Sequence, residues 1–149
     1  MSENLKSWLD ANGFEEYYIN EKNKDSFTPL MVAIRAGNDE IVDEILDTKC
    51  LDINRTNSDL NNALWFAVIE GNVEVARKLI KNEICVNNRN SNGVTPLIYA
   101  AAHNQIEMLK LLIENNADLQ IRTLDGFTAL DLASSKQLYQ ILKDFLNNF

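Results

Sequence analysis

At 149 residues with 46% apolar content, the chain has the length of one domain and the composition of an ordinary globular core. A formal net charge of -8 argues against nucleic acid, whose phosphates need clustered Lys and Arg, and equally against an anionic membrane surface. No run is long and apolar enough to predict a spanning helix, and Met1–Lys6 lacks the basic-then-apolar pattern of a secretory signal.

The first predicted element is a short amphipathic helix with Leu5, Trp8 and Leu9 on one face, stopped near Asn12-Gly13. Thereafter the sequence echoes itself. Thr28-Pro29-Leu30, Asn62-Ala63-Leu64, Thr95-Pro96-Leu97 and Thr128-Ala129-Leu130 recur at spacings of 34, 33 and 33 residues. Ile53-Asn54, Val86-Asn87 and Leu119-Gln120 follow the first three, and one residue inserted in Lys49–Ile53 lengthens the first period. A fixed period of this size marks a solenoid, whose units bury apolar faces on one another.

Each unit reads as turn, helix, turn, helix, loop. Thr28, Asn62, Thr95 and Thr128 stand where an N-cap side-chain oxygen can accept an orphan amide. Pro29 and Pro96 follow at the first helical position, where the N–H is not needed. Ala33, Ala67, Ala100 and Ala133 let neighbouring helices approach closely. Gly37, Gly71 and Asn104 end the first helices with residues that tolerate the left-handed conformation. Gln137 stands in the fourth such place, so a different inter-helix turn is expected there.

First helices are therefore predicted over Thr28–Ala36, Asn62–Glu70, Thr95–His103 and Thr128–Ser135. Second helices are predicted over Asp39–Asp47, Val73–Lys81, Ile106–Asn115 and Leu138–Leu146. The latter carry Ile41-Val42…Ile45-Leu46, Val75-Ala76…Leu79-Ile80, Met108-Leu109…Leu112-Ile113 and Ile141-Leu142…Phe145-Leu146, a core stripe facing the next unit. Asp39, Glu40, Asp43, Glu44 and Asp47 have the spacing of a solvated helix face.

Thr28-Pro29-Leu30-Met31-Val32-Ala33, Thr95-Pro96-Leu97-Ile98-Tyr99-Ala100 and Asn116-Ala117-Asp118-Leu119 make these units resemble ankyrin repeats over about residues 23–149. The fold this implies is all-α: a solenoid of stacked antiparallel helix pairs joined by β-hairpin-like loops, in one domain, 1–149. Its parts would be an N-terminal half-repeat cap at 1–22, repeats at 23–56, 57–89 and 90–122, and a capping repeat at 123–149. The half-repeat is expected to cover Met31–Leu46. Lys136, Gln140, Lys143 and Asp144 give the last unit a polar outer side, so both ends of the stack are expected to be closed.

The sequence departs from that resemblance after T-P-L. The family's His there helps bond neighbouring loops, whereas Met31, Trp65, Ile98 and Asp131 occupy the place here. Trp65 reads as a space-filling core residue or else as a partly exposed anchor in the groove. The hairpins therefore require another support.

The resemblance implies an interaction module without chemistry of its own, whose partner protein meets the hairpin tips and the concave face of the first helices. Carried onto this sequence, those positions make Phe27, Arg35, Asn61, Ile69, Glu70, Val94, His103, Phe127 and Lys136 the partner-binding residues. Phe27, Ile69, Val94 and Phe127 are apolar where water would otherwise be met, which suits a hot-spot surface.

No catalytic, cofactor or metal site is expected. His103 is the single histidine, and no P-loop or G-x-S-x-G pattern occurs. The acid pairs Glu15-Glu16 and Asp39-Glu40 do not converge as an acid and base would. Cys50 and Cys85 lie in repeat-connecting segments about 10 Å apart, the spacing of packed layers, which is beyond disulfide reach. Free thiols in a reducing cytosol are expected. The resulting expectation is a monomeric cytoplasmic scaffold, not an enzyme, that binds an unidentified protein but neither nucleic acid nor membrane. Two alternatives stay open: an accessory protein handling haem through Tyr99 and His103, four apart on one helix, and a secreted bacterial effector binding a host protein. Many Asn, Ile and Lys residues fit an AT-rich, bacterial genome.

Overall fold

The computed structural model describes residues 1–15 and 18–148. Glu16 of the Glu15-Glu16 pair and Phe149 at the end of the last unit lie outside the described residues. The described residues form eight helices and no strand: α1 (Glu3–Ala11), α2 (Pro29–Arg35), α3 (Asp39–Leu46), α4 (Ala63–Ile69), α5 (Val73–Lys81), α6 (Pro96–Ala102), α7 (Ile106–Glu114) and α8 (Lys136–Asn147). Helices α2/α3, α4/α5 and α6/α7 are the stacked pairs. The first helices α2, α4 and α6 pack side by side in one layer, α5 and α7 in the other, and α1 lies against α3.

The local reasons are those of helix ends. The Thr28 and Thr95 hydroxyls accept the Met31 and Ile98 amides at 3.4 and 3.3 Å, with proline next in both chains of residues. Gly37, Gly71 and Asn104 turn the chain with φ of 64°, 66° and 55°, the left-handed region that glycine and asparagine enter most readily. Asn38 and Asn72 then cap the second helices through Oδ1.

Apolar spacing decides the rest. Ala33, Ala67 and Ala100 are fully buried between first helices, while Ile41, Ile45, Val75, Leu79, Met108 and Leu112 fill the seams between successive units. At the amino end, Leu5 and Leu9 of α1 close the seam over α3.

Three features differ from the sequence-based expectation. Asn62 occupies the N-cap position of α4 without capping it; its Nδ2 instead donates to the Cys85 carbonyl at 2.9 Å. The fourth first helix, Thr128–Ser135, does not form. Asp131 accepts both the amide and hydroxyl of Thr128 at 2.9 Å, and the Leu132 amide reaches the Thr128 carbonyl, completing one turn. Ser134 then donates its amide and hydroxyl to the Ala101 carbonyl at 3.1 and 3.0 Å, which ends the turn. Ser135 caps α8 seven residues after Thr128, whereas Asn38, Asn72 and Gln105 precede their helices ten residues after Thr28, Asn62 and Thr95.

The outer side of α8 is the third. Lys136, Gln140, Lys143 and Asp144 are exposed, as a polar cap requires. Ile141, Phe145 and Leu146 are only half-buried, however, because no further helix pair among the described residues covers them as α7 is covered.

An asparagine ladder supports the hairpins and loops. Within each of the first three hairpins one side chain gathers two amides: Asn23 Oδ1 accepts Asp25 and Phe27, Asn57 accepts Asp59 and Asn61, and Asn90 accepts Asn92 and Val94, all at 3.0–3.1 Å. Thr123 holds the fourth hairpin through Phe127. Between units, Asn20, Asn54 and Asn87 accept the amides of Asp52, Cys85 and Asp118 at 2.7, 2.7 and 2.8 Å. These loop amides are thereby satisfied without a sheet.

Candidate functional site

The face of the first helices is built from two rows. Arg35, Ile69 and Ala102 are the last residues of α2, α4 and α6; Ala36, Glu70 and His103 are the caps that follow. In front of the helices stand the hairpins, closed by backbone bonds from Asn23 to Phe27, Asn57 to Asn61, Asn90 to Val94 and Thr123 to Phe127. Neighbouring hairpins are tied by the Ser91 amide to the Asp59 carbonyl and by the Leu124 amide to the Asn92 carbonyl, at 2.9 and 3.0 Å. Gly93 is required at that junction, since a Cβ there would stand 3.0 Å from the Leu124 nitrogen.

The apolar candidates divide by exposure. Ile69 is 43% exposed and Phe127 48% exposed. Val94 and Phe27 are half-buried, Phe27 meeting the edge of buried Phe66 with ring centroids 5.5 Å apart. Arg35 extends back along α2, as helical side chains do, and lies over Phe27 with its guanidinium 4.6 Å from the ring centroid. Asn61 is a hairpin-closing residue: its amide bonds Asn57 Oδ1, while its own buried Oδ1 has no protein partner. Glu70 caps α4 and is exposed.

Lys136 is placed differently from expectation. Without a fourth first helix it does not continue the Glu70–His103 row as a cap, and it opens α8 instead. Trp65 is buried, its ring edge against Tyr99 at 5.8 Å, which settles it as a core residue. Tyr99 in turn stacks on His103, with centroids 3.9 Å apart and planes within 16°. His103 Nδ1 lies 2.9 Å from the Tyr99 carbonyl, which can only accept, so Nδ1 carries the proton and Nε2 is left as the outward atom. Held in near-parallel planes, Tyr99 and His103 form one aromatic unit rather than two donors converging on a metal. Among the described residues no group of three or more His, Cys, Asp or Glu could hold a metal ion.

Two exposed apolar side chains lie outside the expected binding set, Leu124 at an expected tip position and Leu60 at one that the sequence reading passed over. Leu60 sits at a hairpin tip, 50% exposed with φ of 65°, and Leu124, 72% exposed, stands three residues before Phe127. The signal for Leu60 was positional: Gly93 and Gly126 occupy the same place in the next two hairpins.

Electrostatics on the remaining surface are local. Exposed Asp39, Glu40 and Asp47 are solvated, while Asp43 receives Lys78 of the next unit at 2.6 Å. Glu44 accepts hydrogen bonds from the Ser2 hydroxyl and Asn4 amide, which hold its carboxyl below the ordinary value. The Thr128 amide, then its hydroxyl, does the same for Asp131. Cys50 and Cys85 are free and exposed. No helix among the described residues is long and apolar enough to cross a membrane.

The sequence matches the family described as ankyrin repeats (3 copies) over residues 2–90 and 84–148. Comparison with curated proteins finds no match. Repeats of this family are protein–protein interaction modules and typically lack catalysis. Three helix pairs in register, and a family match spanning nearly the whole length, place this chain in the ankyrin-repeat family.

Proposed function

We propose that this chain is a non-catalytic module that binds another protein through the concave groove of its first helices and its hairpin tips. It acts by occupancy: masking, recruiting or stabilising the partner. The binding residues are Phe27, Arg35, Asn61, Ile69, Glu70, Val94, His103, Phe127 and Lys136, with Leu60 and Leu124 added at the tips. The observation that carries this reading is the exposure of Ile69 and Phe127, large apolar residues left nearly half exposed on the face of the first helices and hairpins. Covering such a face orders few side chains, so less of the gain from apolar burial is lost to ordering. The exposed thiols of Cys50 and Cys85 suit a reducing compartment, and a cytoplasmic monomer is proposed on that basis.

Affinity capture from native cell extract, with identification of the bound protein, tests the reading. Ile69→Ala and Phe127→Ala should each weaken capture more than about tenfold, the effect of losing a hot-spot anchor. Lys110→Ala and Lys143→Ala, on the second helices, should do little. Loss of capture with the second pair and not the first would place the binding face elsewhere.

A further inference from the structure

Arg35 is the one arginine of five whose guanidinium makes no ion pair or hydrogen bond among the described residues. Arg55 bonds the Asn20 carbonyl at 3.2 Å and approaches Glu21 and Asp52 at 3.9 Å; Arg77 pairs with Glu74 at 3.7 Å. Arg89 donates to the Arg122 carbonyl at 3.0 Å, and Arg122 to the Gly126 carbonyl at 2.7 Å. Arg35 has a ring instead. From the core outward, buried Phe66 fixes Phe27 edge-on, and Phe27 carries the Arg35 guanidinium on its face.

A guanidinium held over a ring by its central carbon still has N–H donors free to bond a partner. The clamp also removes in advance much of the freedom a long side chain loses on binding. Water alone would satisfy the charge. Fixed direction is what a planar carboxylate, accepting two parallel bonds, requires.

The neighbouring positions narrow the partner. Arg35 and Ile69 end adjacent first helices, and packed helices lie about 8–10 Å apart. A chain in the extended polyproline II form rises about 3.1 Å per residue with three residues per turn, so residues three apart share a side and span that distance. Glu70, exposed beside Ile69, repels a second acid there.

Resting on the groove reading above, we infer that the Arg35–Phe27 clamp receives a side-chain carboxylate, Asp or Glu, of the partner protein. A large apolar residue three positions away in the same extended segment lies on Ile69.

The test is an NMR titration of the full-length chain with the acetylated, amidated tetrapeptide Glu-Ala-Ala-Leu and its counterpart Gln-Ala-Ala-Leu. The Arg35 Nε–H resonance and the Ile69 methyls should move with the first peptide, and the second should bind at least about tenfold more weakly, the loss of one charge-assisted pair. Arg35→Gln should erase the difference between peptides, and Phe27→Leu should shrink it severalfold while the melting curve confirms folding. Equal shifts from both peptides, a preference that survives Arg35→Gln, or no shift from either at roughly 10 mM would overturn the inference. Displacement by equimolar inorganic phosphate would overturn the carboxylate assignment in favour of a general anion site. If Ile69→Ala and Phe127→Ala abolish partner capture but Arg35→Gln does not, the groove stands and this inference falls. If none of the three affects capture, the groove reading itself falls.

Discussion

Asn87 Oδ1 accepts the backbone N–H of Asp118, one unit along the stack, at 2.8 Å, while its Nδ2 donates to the Asn116 carbonyl at 3.2 Å. Asn20 makes the same pair of bonds to Asp52 and Cys50 at the amino end. One side chain thus closes two backbone groups in a loop that has no sheet to join.

The ladder gives a graded expectation. Asn87→Ala should destabilise by about 1 kcal/mol, because water reaches the half-buried loop and replaces much of what is lost. Asn57 is 4% exposed and serves two amides, so Asn57→Ala should cost about 1–3 kcal/mol. Asn57→Asp keeps both acceptor bonds and should retain most of that stability. Urea unfolding midpoints separate the three; an Asn57→Asp variant as weak as Asn57→Ala would mean that the acceptor bonds are not the source.

How far the sequence could be read followed from whether the signal was periodic. The period, the Thr28 and Thr95 caps, the glycine turns and the second-helix stripes each depend on residue spacing, and each appears where spacing puts it. The ladder depends on spacing too, and Asn54 and Asn87 were visible as an echo, but their partners lie some thirty residues away, where the sequence offers no direction for a side chain. The missing fourth first helix was signalled only by Gln137 in place of Gly or Asn. What decided it was the capture of Ser134 and Ser135 by Ala101 and Asn104, a tertiary event. Likewise Asn62 fits an N-cap by type, and the Cys85 carbonyl competes for it. Of the candidate site, family register placed the rows; it could not anticipate that Arg35 folds back on Phe27 or that His103 stacks on Tyr99.

Acid should loosen the amino-terminal helix first. Ser2 and Asn4 hold the Glu44 carboxyl below its ordinary value of 4.5. A carboxyl lowered in the folded state contributes stability that is present above its unfolded value and lost as pH falls through the folded value. The docking of α1 on α3 should therefore weaken as pH drops below 4.5. Glu44→Gln should lower stability at neutral pH and flatten that acid limb, as followed by the methyl resonances of Leu5 and Leu9. An unchanged pH profile would show that the carboxylate contributes nothing to docking.

Leu112 tests the stripe between units. It is fully buried, so Leu112→Ala should destabilise by about 2–5 kcal/mol, the range for a large-to-small change in a core. Lys110, two residues earlier on α7, pairs with Glu107 at 3.5 Å on the surface, and Lys110→Ala should change stability by under about 1 kcal/mol. Thermal midpoints that coincide for the two variants would place the seam wrongly.

Leu60 separates binding from stability. With φ of 65° it holds a conformation that disfavours a side chain by roughly 1–2 kcal/mol, at a place where Gly93 and Gly126 serve the next two hairpins. Its side chain is half exposed at the tip, so burial of the other half offsets about 1 kcal/mol of that strain. Leu60→Gly relieves the strain but frees the unfolded chain, which returns roughly 0.4–1 kcal/mol. The terms nearly cancel, and a change in stability of under about 1 kcal/mol is expected. Strain retained at an exposed apolar tip is the pattern of a residue kept for contact, so the same substitution should weaken partner capture while leaving the thermal midpoint nearly in place. Capture unchanged in a folded Leu60→Gly variant would remove this tip from the binding surface; a midpoint lowered by much more would mean that the leucine packs in the hairpin and is not strained.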